Sequence, residues 1–249
     1  MVMSICVGIT CLAEVIIDLS NLLFEFGIPS RLFELLSSKS HENKCYRPLL
    51  LALSSIVNSS KRWQILLLMK WDVLKYMLHG AHCVSLDNSQ VQSDTMILTS
   101  CRICADMNEA CMLRCFAAEL DKCCVRVISG TGHNSAVRVA AEILCSMLPR
   151  MLFDNWHITA LRAIRQCAQV NDMNCVLSVF TTIITLLQNL RCPPLTEQQK
   201  TLLRDLLHDE QFMTRVDSLS CCSQAPQVAE AADIIANLCN SLNTTMDGV

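Results

Sequence analysis

Apolar residues recur along this chain at i, i+3 and i+4, the spacing that lines one face of a helix. The run Val228 to Leu242 shows it best: Val228, Ala231, Ala232, Ile235, Leu238, Cys239 and Leu242 form one stripe. Ser135 to Leu148 carries a related stripe of Ala136, Val137, Ala140, Ile143, Leu144, Met147 and Leu148. Further copies lie in Val176 to Leu190 and in Pro48 to Ser59. Aligning one apolar position from each, with Cys101 in a weaker fifth copy, gives Leu53, Cys101, Leu144, Leu187 and Ile235, at intervals of 48, 43, 43 and 48 residues. A period of this length predicts stacked helical units that share one extended core.

The punctuation agrees. A helix over about Ile9 to Glu25 stops at Gly27, and Pro29 suits the first turn of a second helix, Arg31 to Ser38. A third helix runs from Arg47 to Ser59. The second unit reads as Arg62 to Met69, Trp71 to His79, a loop over Gly80 to Gln92, and a helix through Cys104. Asn108 to Ile128 reads as one helix, ended by Gly130 and Gly132, and Asn134 restarts the pattern as an N-cap. Pro149 closes that unit, Ile158 to Gln169 and Asn174 to Leu190 fill the fourth, and Pro193-Pro194 breaks it. Thr196 and Gln199 fit a capping box ahead of Glu197 to His208, Ser218 to Pro226 is the last loop, and residues 243–249 form a frayed tail. One array of five units follows: 1–60, 61–107, 108–150, 151–192 and 193–242.

Composition narrows the function classes. Of 249 residues, 52% are hydrophobic, and the mean hydropathy is +0.36, high for a chain without membrane spans. Helices sandwiched between neighbours would account for it. The most apolar stretch, Met1 to Ala13, is too short for a span and lacks the basic flank of a signal peptide. With a net charge of −3 and no basic cluster, the chain offers no stripe to neutralise phosphates, so no nucleic-acid partner is expected. Seventeen cysteines, an odd count, several of them on apolar helix faces, read as reduced small hydrophobes in a cytoplasmic or nuclear setting. The sequons at Asn58 and Asn243 have meaning only in a secreted chain.

The chemistry-bearing patterns are sparse. Cys101, Cys104, Cys111 and Cys115 could supply four thiolates to zinc, but the knuckle glycines and prolines are missing, and helical spacing explains them as well. Gly130-x-Gly132 lacks the spacing and lysine of a phosphate loop. No HExxH pair and no nucleophile elbow occur. The expectation is therefore no metal, no cofactor and no catalytic residue.

The segments Gly27-Ile28-Pro29-x-x-Leu32-Phe33-x-Leu35-Leu36-Ser37, Ala52-Leu53-Ser54-Ser55-Ile56 and Ile234-Ile235-Ala236-Asn237-Leu238 resemble the second and third helices of armadillo repeats, with HEAT repeats as the alternative subtype. The resemblance implies an all-α, right-handed α-solenoid whose third helices line a concave groove that binds an extended peptide or partner helix. It also implies asparagines two residues after each anchor; the matching positions are Ser55, Ile103, Ser146, Asn189 and Asn237. Import adaptors of that family place tryptophan one turn earlier, where this chain has Leu51, Thr99, Glu142, Thr185 and Asp233. Nuclear-signal binding is therefore not implied. The expected partner-binding groove is Arg47, Ser55, Arg138, Glu142, Ser146, Thr185, Asn189, Glu230, Asp233 and Asn237. The expected function is a protein–protein adaptor or scaffold. The alternative is a HEAT-type regulatory subunit of an enzyme complex that binds through inter-repeat loops such as Gly80 to Gln92. The apolar N-terminal helix leaves two expectations: further repeats before this chain, or another chain over that end.

Overall fold

A computed structural model describes Gly8 and residues 19–38, 46–61, 63–65, 74, 75, 77, 78, 88–130, 134–148, 158–189, 201, 205 and 209–246. Among these residues every regular element is helical. In chain order the helices are α1 (Leu19–Glu25), α2 (Ile28–Ser38), α3 (Tyr46–Ser59), α4 (Asn88–Asp106), α5 (Glu109–Ala117), α6 (Leu120–Ser129), α7 (Asn134–Met147), α8 (Ile158–Cys167), α9 (Met173–Asn189), α10 (Glu210–Ser220) and α11 (Pro226–Met246). They group into two compact units, residues 1–139 and 140–249, with the division inside α7.

Local chemistry sets the helix ends. Gly27 adopts φ +69°, the left-handed conformation that ends α1 and turns the chain into α2. The side chains of Asn108 and Asp209 accept from Cys111 N at 2.9 Å and Phe212 N at 2.7 Å, capping α5 and α10. Asp172 caps α9 in the same way, accepting from Asn174 N and Cys175 N at 3.0 and 3.3 Å.

The structure departs from the expected helix pattern at four places. Asn108 to Ile128 is two helices, not one: Glu119 sits at φ +69°, without the glycine that usually marks such a corner. That left-handed residue costs on the order of 1 kcal/mol. The corner lets Met112 and Cys115 of α5, and Leu120, Cys123, Cys124 and Val127 of α6, all reach the core. The loop expected over Gly80 to Gln92 is helical from Asn88 onward, as the first part of α4. The α10 helix was not foreseen, although Asp209, Phe212, Val216 and Leu219 give it a cap and a buried stripe. The tail is helical as far as Met246, not frayed from Asn243. The helices expected over Ile9 to Asp18 and Glu197 to His208, the capping box at Thr196, and both prolines at 193 and 194 lie outside the described residues or largely so.

In the first unit α1 packs on α2, α2 on α3, α3 on α4, α4 on α5, and α5 on α6. Trp63 is wholly buried and meets Phe24 and Phe33 edge to face, with centroids 6.0 and 6.5 Å apart. In the second unit α8 packs on α9, α9 on α11, and α10 on α11. Phe180 and Phe212 make the matching edge-to-face contact at 6.1 Å. All five aligned anchors, Leu53, Cys101, Leu144, Leu187 and Ile235, are buried.

Hydrogen bonds between helices carry the same period. Ser100 Oγ donates to Asn58 Oδ1 at 2.9 Å, 42 residues away, and Cys123 Sγ to Leu78 O at 3.4 Å, 45 residues away. Thr182 Oγ1 donates to Cys145 O at 3.3 Å across 37 residues, and Arg215 Nε to Ala168 O at 3.3 Å across 47. Within each of the two units, side chains thus reach the backbone or a side chain about one repeat away.

The buried cysteines pack as small apolar groups. Cys101, Cys104, Cys115, Cys123 and Cys124 fall inside the first unit, Cys145, Cys167, Cys175 and Cys239 inside the second. Burial pushes the thiols of Cys104 and Cys145 up to about 12 and raises Cys101, Cys115 and Cys124 as well, with neighbouring thiols adding to the effect.

Two outcomes follow from this core. Trp63→Ala should cost about 3–5 kcal/mol in urea unfolding, whereas Leu113→Ala, on an exposed face, should cost under about 0.5 kcal/mol. The native chain keeps protons on its thiols to higher pH than the unfolded chain does. Stability should therefore hold from pH 6 to 8 and fall as pH climbs from about 9 toward 12, by up to about 1.4 kcal/mol per pH unit for each thiol involved. A urea midpoint that stays flat to pH 11 would contradict it.

Candidate partner-binding face

The third helices α3, α4, α7, α9 and α11 bury their apolar stripes and leave a narrower accessible face, polar on much of α7, α9 and α11 and apolar at Leu51 and Ile103. On α7 the whole predicted stripe from Ala136 to Leu148 is buried, and Arg138 lies outside it, exposed. On α11 the buried set is Val228, Ala231, Ala232, Ile235, Leu238 and Cys239, with Glu230, Asp233 and Asn237 exposed on successive turns.

Most expected positions are accessible in place. In the first unit Arg47 is half-buried and Arg138 exposed; Leu51, Thr99 and Ile103 at the equivalent positions are half-buried. Ser55 differs, because it is only 5% exposed and its hydroxyl lies in the packed interior of α3 beside Ser54. In the second unit Glu142, Ser146 and Thr185 are half-buried, and Glu230, Asp233 and Asn237 are exposed. The backbone of Asn189 ends α9, and its side chain lies outside the described residues.

Geometry also settles what these groups have left to offer. Thr99 and Thr185 donate their hydroxyls to the carbonyls of Thr95 and Thr181, four residues back, at 2.7 and 2.9 Å. Each therefore presents a methyl group and an acceptor oxygen, not a donor. The second unit is acidic on this side: Glu142, Glu230 and Asp233 lie on α7 and α11, and neither α9 nor α11 contains a lysine or arginine. Such a surface repels phosphates.

Among the described residues no group of three or more histidine, cysteine or acidic side chains is placed to hold a metal. Cys115 Sγ and Cys104 Sγ each lie 4.0 Å from a backbone carbonyl, of Cys101 and Gln64 respectively. Trp63 is a core residue, far in role from a peptide-stacking tryptophan. No helix among the described residues is long and apolar enough to cross a membrane. One feature escaped the sequence reading: a cavity in the first unit lined by Lys61 and Arg114, whose 53-residue separation hides their proximity.

No family model matches the sequence, and neither does any curated protein. Solved structures do match. A structure of computationally designed armadillo repeat proteins for modular peptide recognition superposes with a TM-score of 0.67 at 11% identity, covering 94% of this chain and 92% of that one. A designed armadillo repeat protein in complex with the peptide (KR)4 gives 0.63 at 11% identity, over 94% and 91%. Another designed armadillo repeat protein gives 0.62 at 11% identity, over 95% and 92%. At that identity the likeness speaks for the fold alone. The fold of this chain is an all-α solenoid of armadillo-like repeats.

Proposed function

We propose that this chain is a protein–protein interaction scaffold that takes an extended peptide or a partner helix on the polar faces of its third helices. The observation that carries the reading is the pairing, on every third helix, of a buried apolar anchor with an accessible position two residues before it: Leu51, Thr99, Glu142, Thr185 and Asp233. Such a face offers repeated, equivalent contacts, which suits a partner with its own regular rise. Arg47, Arg138, Glu142, Ser146, Thr185, Asn189, Glu230, Asp233 and Asn237 are the contact residues, and Ser55 serves as floor beneath them. Designed armadillo repeat proteins of similar fold are described as peptide binders, which favours the same use here. The role is that of an intracellular adaptor in cell polarity, adhesion or signalling, without catalysis.

Selection from a random-peptide display library on the full chain tests the proposal. Substitution of Glu230→Lys, Asp233→Lys and Asn237→Ala together should weaken the selected peptides by about tenfold or more, since three exposed contacts are lost or reversed. Unchanged binding by that variant, with loss on deletion of residues 80–87, would transfer the function to the inter-repeat loops, as in a HEAT-type regulatory subunit.

A further inference from the structure

A second surface in the first unit has the make-up of a docking site and uses none of the proposed groove residues. Two repeat corners meet there: the helical residues after Ser60, and the turn from α4 into α5. Between them lies a cavity of about 460 Å³, lined by Lys61, Ile65, Met107, Ala110, Cys111 and Arg114. That volume is in the range of pockets that accept small ligands or a pair of side chains.

Its composition is lopsided. The apolar part of the lining is Ile65, Met107 and Ala110, and Ile65 is 45% exposed although it is a large apolar residue. Leu113, one residue before Arg114 on α5, is 48% exposed, and Ala110 and Ala117 complete the same open helix face. Exposed apolar side chains that gather at one place mark interaction surfaces more often than scattered ones do. The two charged lining residues are both cations, Lys61 and Arg114, on a chain whose net charge is −3. Asn108, also at the wall, is already engaged as the α5 cap through its contact with Cys111 N at 2.9 Å.

We propose that this cavity docks a short peptide segment of a partner protein in which an apolar side chain is flanked by carboxylates. The apolar side chain covers Ile65 and Met107, and the carboxylates face Lys61 and Arg114. A free anion alone would leave the apolar lining wet, and two cations are too few to hold a nucleic-acid backbone. Charge reversal at the rim acts on encounter and specificity, and burial of the apolar lining supplies most of the affinity.

The probe is a dye-labelled hexapeptide with a central leucine–phenylalanine pair and two aspartates on each side, titrated with the full chain by fluorescence anisotropy. Saturable binding is expected, weakening as salt rises because the ion pairs are exposed. Lys61→Glu with Arg114→Glu should lower affinity about tenfold or more, and Ile65→Ser should do the same. All three residues are surface-exposed, so folding survives. The same hexapeptide with lysines in place of aspartates should bind at least about tenfold more weakly. Bound peptide should slow alkylation of Cys111, a lining residue, and leave the exposed Cys221 unaffected. The third-helix variant Glu230→Lys with Asp233→Lys should bind the probe like the parent chain, which separates this site from the proposed groove. Any one of these results would overturn the proposal: no saturation up to about 1 mM, equal binding of the lysine peptide, indifference to the Lys61 and Arg114 changes, or full displacement by inorganic phosphate.

Discussion

Each third helix in this protein is apolar on more of its circumference than one unit can keep dry. Residues such as Leu187 on α9 and Ile235 on α11 find cover because α9 packs on α11, and Leu53 and Cys101 because α3 packs on α4. Burying such a side chain contributes about 1.5–3 kcal/mol relative to leaving it in water. Without the neighbour that contribution disappears, while the cost of ordering the helix stays. The period of the chain is the spacing at which each helix meets its next cover.

Polar chemistry sets the register that apolar packing leaves loose. Apolar contact is non-directional and tolerates sliding. The bonds from Ser100 to Asn58 and Arg215 to Ala168 tolerate much less, because each runs to an acceptor one repeat away. Asn58 is half-buried and occupied by Ser100, so its sequon context has a structural use inside the repeat interface. The high cysteine content fits the same frame: a thiol fills the space of a small hydrophobe, and Cys123 still donates weakly to Leu78 O, 45 residues earlier.

Long-period features were legible in the sequence because they rest on apolar spacing. The five anchors are all buried, the stripe of α7 matches residue for residue, and the Gly27 corner stands where glycine announces it. Features governed by local backbone chemistry were less legible. The corner at Glu119 uses a left-handed residue that is neither glycine nor asparagine, so no composition signal precedes it. The α10 helix is short, with only Phe212, Met213, Val216 and Leu219 apolar, and its cap at Asp209 is its clearest sequence signal. For the partner-binding positions, spacing gave accessibility on α7 and α11 but not on α3, where Ser55 turns inward. The cavity between Lys61 and Arg114 arises from packing of two corners distant in sequence, which no pattern within one helix reveals.

Mutual cover between repeats can be tested directly with Ile235→Asp, which places a charge at a buried position of α11, the helix on which α9 packs. Hydrogen–deuterium exchange of the full chain, read peptide by peptide, should then show residues 173–189 of α9 exchanging at least about a hundredfold faster, although the substitution lies on another helix. Unchanged protection of α9, with faster exchange confined to α11, would show that each helix holds its own fold and would contradict the account.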